Sequence, residues 1–235
     1  MQNIKTIYLK ELKSYFNSPI AYIVIIVFLI IGGYFFTNGL FQNNLATLRP
    51  LFDIVPFIFL FFIPAITMRL FSEEKKQGTI ELLLTKPITD NELVIGKFLA
   101  AFMLTMITLL PTLLYLIVVM LIGKVDLGAV IGGYLGLIFM AGVYIGVGVF
   151  ASSLTENQVV AFIVSFVAVF ALFMVGKILI QFSPLLVSAI EYISTDYHFI
   201  NISCGVIDSR DLIYYLSMIT FTLFLTRVSL ESRKW

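Results

Sequence analysis

Charge is what this sequence has least of. Only 12% of its 235 residues are Asp, Glu, Lys or Arg, while 60% are hydrophobic; soluble domains carry about 25% charged and about 45–50% apolar residues. So few charges cannot cover a water-facing surface, which excludes a soluble globular domain and leaves an integral membrane protein. The one cysteine, Cys204, excludes an internal disulfide and any multi-cysteine metal site. The one histidine, His198, cannot supply the clustered ligands of a zinc centre. Gly96-Lys97, at a span entrance, lacks both the first glycine of a phosphate-binding loop and a following Ser or Thr. His-Glu-x-x-His and Gly-x-Ser-x-Gly are missing, as is an intramembrane acid pair. The chain is therefore not expected to be an enzyme or to hold a cofactor or metal, and any energy must come from another chain.

What abounds is the long apolar run. About 20 apolar residues cross the hydrocarbon of a bilayer as a helix. Six stretches meet that length: 20–41, 51–70, 93–122, 129–151, 158–181 and 211–229. They lack the period-2 alternation of barrel strands, so helices are expected. The first run exceeds a signal-peptide core and no small-x-small cleavage site follows it, so it is expected to stay as a span. Lysine and arginine set the orientation. Lys5, Lys10 and Lys13 precede span 1; Arg69, Lys75, Lys76, Lys86 and Lys97 flank the loop after span 2; Arg227, Arg233 and Lys234 end the chain, placing eleven of fifteen cations on one side. Only Arg49, Lys124, Lys177 and Arg210 lie on the other. The expectation is one all-α transmembrane domain over 1–235, with both termini cytoplasmic. Within residues 1–18, Ile4, Ile7, Tyr8, Leu12 and Tyr15 share an arc that Glu11 interrupts, with Lys10 and Lys13 opposite. That pattern predicts an amphipathic elbow helix along the inner leaflet before the chain turns inward at Pro19.

The densest charge sits at 71–92, FSEEKKQGTIELLLTKPITDNE. Nothing between Ile66 and Gln77 breaks a helix, so span 2 is expected to run on into the cytoplasm, with Arg69 and Glu73 spaced i,i+4 for pairing. Gly78 ends it. Thr79 then caps a short helix, Ile80 to Lys86, which Pro87 terminates. Thr89-Asp-Asn-Glu92 is a capping box opening span 3. A solvated, well-capped turn would account for the charges, but a two-turn helix is not stable alone and must pack on something.

The stretch SEEKKQGTIELLLTKPI resembles the Glu-x-x-x-Gly-Thr-x-Glu-x-Leu-Leu-x-x-x-Pro segment of ABC-2 family transporter permeases. There the segment between spans 2 and 3 is a coupling helix that docks on a partner ATPase. ELKSYFNSPIAYIV is similar to that family's elbow helix and first span, and TENQVVAFIVSF and YHFINISCGVIDSRDLIYYLS resemble its gliding-motility-associated group and nitrous-oxide-reductase-maturation relatives. The resemblance spans the chain and implies a type V exporter-like fold. It places ATPase coupling on Glu74, Gly78, Thr79, Glu81, Leu82, Leu83 and Pro87, with 71–92 as the cytoplasmic coupling loop. The implied partners are an ABC ATPase subunit, which would carry the ATP and Mg, a second identical or related permease, and the lipid bilayer; no nucleic acid is expected. The implied location is the bacterial inner membrane. A non-transporting anchor that docks an ATPase in an envelope or gliding machinery stays open beside the exporter reading.

Further signals lie outside that loop. Span 4 carries Gly132, Gly133, Gly136, Gly142, Gly146 and Gly148, whose small-xxx-small spacing fits close helix packing. Asp53 and Lys177 fall near the outer ends of spans 2 and 5, where a charge can face a substrate path or gate. His198 lies in 183–210, an outer re-entrant segment that the resemblance makes a lid over the exit. Asp208 is expected to cap span 6, and Thr155-Glu-Asn-Gln158 reads as a capping box for span 5.

Overall fold

A computed structural model describes residues 2–43, 46–79, 88–179, 192–206 and 208–232, and every regular element among them is helical. In chain order these are α1 (Gln2–Asn17), α2 (Pro19–Asn43), α3 (Arg49–Thr67), α4 (Arg69–Lys76), α5 (Asp90–Leu109), a 3-10 turn (Leu110–Thr112), α6 (Leu113–Ile122), α7 (Leu127–Leu154), α8 (Gln158–Leu179), α9 (Thr195–Ser203) and α10 (Ser209–Glu231). Six stretches are long and apolar enough to cross a bilayer: α2, α3 with α4, α5 through α6, α7, α8 and α10. The chain is an all-helical, multi-pass membrane protein, as its apolar runs require. Pro111 sits in the 3-10 turn that separates α5 from α6, where its missing N–H tightens the helix.

Helix starts follow local chemistry. Thr89 and Glu92 form the expected capping box. Asp208 accepts from the Arg210 N–H at 2.9 Å and caps α10, and Asp126 does the same for α7. The box expected at Thr155 does not form. Helix α8 begins only at Gln158, so Asn157 is the cap and accepts from the Val159 N–H at 2.9 Å, while Thr155 accepts from Asn157.

Helix α7 is the axle of the bundle. Of its most apolar window 78% is buried, against 22% for α2 and for α8 and 17% for α10. Its glycines explain how the neighbours come so close. A Cβ on Gly142 would lie 2.7 Å from Ile219 of α10, and one on Gly146 would overlap the Thr222 hydroxyl. Gly136 meets the Phe199 ring of α9 at 2.8 Å, Gly132 meets the Ile202 carbonyl, and Gly148 meets Thr67 of α3. The small residues therefore pack three different helices within the chain.

The extension expected after Ile66 is present, one stretch running from Arg49 to Lys76, but it carries a joint at Met68, between α3 and α4. The Ser152 hydroxyl of α7 donates to the Met68 carbonyl at 2.9 Å and accepts from the Phe71 and Ser72 N–H groups at 3.0 and 3.1 Å. A side chain standing in the i→i−4 ladder is a recognised cause of a helix break. Nor does Arg69 pair with Glu73; its guanidinium lies over the Tyr15 ring, 4.5 Å from the centroid.

Candidate coupling site

At the end of the bundle that carries α1, three elements converge on one lysine. Ile7, Glu11 and Tyr15 follow each other at i+4 along α1 and form its inward stripe, with Ile7 and Tyr15 buried. Gly96 of α5 leaves room for Ile7, which would stand 2.8 Å from an added Cβ, and Asn3 donates to Glu92 at 3.1 Å. One residue on, Lys97 is 1% exposed. Its ammonium lies 3.1 Å from Glu11 of α1 and 2.8 Å from Glu74 of α4, and donates to the Leu70 carbonyl at 2.6 Å. The Phe71 ring closes over it, 5.1 Å to the centroid. Lys10 sits 3.6 Å from Glu74 and 3.9 Å from Glu11, so two cations face two carboxylates. A buried ammonium is tolerable only with such pairing.

Tyr15 locks the elbow to the α3–α4 joint. Its hydroxyl donates to the Ile66 carbonyl at 2.9 Å, and burial pushes the phenol above its ordinary range, so it remains a donor. Next to Glu74 on α4, the Lys75 ammonium donates to the Ser153 carbonyl of α7. Helix α4 then ends at Gly78, whose φ of 67° is left-handed and suits glycine, and the Thr79 hydroxyl donates to the Glu74 carbonyl at 3.2 Å. The loop that follows re-enters the described residues at Ile88 and the Thr89 cap. Its two legs, α4 and α5, are therefore joined at their roots by the Glu74–Lys97 ion pair.

Of the residues assigned to coupling, Glu74, Gly78 and Thr79 stand together on the outgoing leg. Glu81, Leu82, Leu83 and Pro87 lie outside the described residues. Sequence reasoning passed over Lys97, Glu11 and Ser152 as site residues. The available signal was a charge on each of two otherwise apolar helical faces.

The opposite end holds the remaining candidates. The Lys177 ammonium lies 3.1 Å from Asp196 of α9 and 4.1 Å from the Phe173 ring centroid. Burial pushes the Asp196 carboxyl up, against the pull of Lys177. Asp53 is exposed on α3 and within electrostatic reach of Lys177 and Arg49. His198 stands apart, buried, with Nδ1 2.6 Å from Asp211 of α10, Nε2 3.1 Å from the Tyr192 carbonyl, and its ring stacked 4.0 Å from that of Tyr214. With Tyr144 bonded to the Thr195 hydroxyl and Tyr215 to its carbonyl, these contacts fasten α9 to α7 and α10. Among the described residues no three His, Cys, Asp or Glu side chains are placed to hold a metal.

A family model described as ABC-2 family transporter protein matches residues 5–226. Comparison with curated proteins gives no match.

Proposed function

The chain belongs to the ABC-2 transporter family, and from that premise we propose that it is the membrane-spanning permease subunit of an ATP-driven exporter. The α1 end faces the cytoplasm of a bacterial inner membrane, on the side where the cations concentrate. A partner ATPase, which carries the ATP and Mg, grips residues 80–86. Two permeases, identical or related, enclose a path along α2, α3 and α8; α2 and α8 leave most of their apolar side chains open at the surface, and α3 adds Phe57 and Phe61.

The observation that carries this reading is the Lys97 junction. Because Lys97 ties α4, α5 and α1 together, a push on the loop between α4 and α5 moves both legs and the elbow as one body. The Ser152 joint at Met68 is where that body hinges against α3 and α7. Coupling follows if the loop binds the two nucleotide states of the ATPase unequally.

The test is charge reversal in the loop. Glu81→Lys should leave insertion intact and abolish substrate-stimulated ATP turnover in the complex with the co-expressed ATPase. Turnover that keeps its full stimulation removes Glu81 from coupling. Turnover that never depends on cargo, in the unaltered complex, favours an anchor over an exporter.

A further inference from the structure

Two cavities lie close together, one between α2 and α3 and one where α1 and α4 meet the start of α2 and Gln158 of α8. The first is a groove of about 450 Å³ between these helices, lined by Ile23, Val27 and Phe35 on one wall and Ile54, Phe57 and Phe61 on the other; all twelve of its lining residues are apolar. The second, about 640 Å³, opens at the α1 end and is lined by Lys10, Lys13 and Arg69, with Asn17 and Ser18 as further polar groups and Glu73 as its one carboxylate. Both volumes fall in the range of ligand sites, about 300–1,000 Å³. They adjoin on both walls. Ile20 of α2 lines the cationic pocket and Ile23 the groove; Met68 lines the pocket and Ala65 of α3 the groove. Each pair is three residues apart, one helical turn on the same face.

We infer that this composite site holds an anionic amphiphile, its acyl chain in the α2–α3 groove and its phosphate-bearing headgroup against Lys13, Arg69 and Lys10. The groove alone would not select such a molecule, because lipid tails are as apolar as any side chain. Selection comes from the headgroup pocket, whose three cations outnumber its carboxylate, at the level where an anionic inner leaflet attracts basic residues. Lys10 is shared with Glu74 and Glu11, so Lys13 and Arg69, set against Glu73 alone, carry the excess charge that an anionic head would meet. Lys13 is exposed, so it is free to turn toward the headgroup. Resting on the exporter reading, this site is the loading position of the path and makes the cargo a lipid or lipid conjugate with an anionic head.

Binding is measurable without ATPase or nucleotide. The full chain in phosphatidylcholine nanodiscs is titrated with spin-labelled phosphatidylglycerol, with spin-labelled phosphatidylcholine, and with glycerol 1-phosphate as a competitor lacking chains. Phosphatidylglycerol should be immobilised in preference, by a factor that falls about fivefold in Lys13→Gln, the value of one cation near an anionic surface. Val27→Trp, which fills the groove, should reduce immobilisation of the phosphatidylglycerol tail. Glycerol 1-phosphate should compete only weakly. Equal affinity for the two lipids, a preference unchanged in Lys13→Gln, or full competition by glycerol 1-phosphate would each overturn the inference. Binding without coupled ATP turnover would leave the site standing and remove the exporter; coupled turnover without lipid preference would do the reverse.

Discussion

Replacing Lys97 by methionine keeps the side-chain length and removes the charge, which leaves Glu11 and Glu74 facing each other with only Lys10 nearby. Removing one partner of a fully buried ion pair costs about 3–5 kcal/mol. The two carboxylate side chains here retain 14% exposure, and Lys10, 62% exposed, still reaches Glu74, so water and one cation offset part of that loss. The expected cost is about 2–3 kcal/mol, or a thermal midpoint lower by roughly 5–10 °C for a chain of this size. Adding Glu11→Gln and Glu74→Gln to Lys97→Met removes the stranded charges and should recover at least half of the shift, because a neutralised cluster can approach the stability of the original. A second readout separates stability from mechanics. Spin labels at Thr79→Cys and Thr89→Cys, in a Cys204→Ser background, report the spacing of the two loop legs. That spacing should broaden in Lys97→Met and stay broad in the triple variant, since neither has the tie. A midpoint moved by less than about 2 °C, or a triple variant whose legs are as close as in the unaltered chain, would refute the role given to Lys97.

Two further outcomes are expected. Ser152→Ala strands the Phe71 and Ser72 N–H groups in a buried joint and should cost about 1–3 kcal/mol, read as a lowered thermal midpoint; no change would show that the α3–α4 break does not depend on that hydroxyl. Cys204 is exposed at the end of the bundle opposite α1, so a membrane-impermeant maleimide should label it in intact spheroplasts, while Thr79→Cys in a Cys204→Ser chain should react only after permeabilisation. The reverse pattern would invert the orientation.

The spans were legible because a bilayer demands little more than the length of an apolar run, and that is a local property. The caps at Thr89 and Asp208 were legible for the same reason, each lying within three residues of its partner. Glu11 looked like a flaw in an amphipathic arc because its partner, Lys97, is 86 residues away. Lys97 in turn looked like an orienting charge. Ser152 resembled any small residue of a glycine-rich helix, and only packing against α4 turns it into the element that breaks span 2. The Thr155 box failed because Asn157 caps α8 in its place, two residues later than the motif suggested, and Thr155 is left accepting from the Asn157 N–H. The loop residues Glu81, Leu82, Leu83 and Pro87 rest on their likeness to the ABC-2 coupling segment, and the described geometry adds the clamp at the roots of that loop.

The grip of a motor on this loop is tested most directly in living cells, with a photo-crosslinking amino acid at Leu83 and the ATPase co-expressed. A coupling loop predicts a light-dependent adduct with the ATPase that weakens when Glu81 is reversed. An adduct with proteins of the opposite compartment, or none with the ATPase while the complex still assembles, would contradict it.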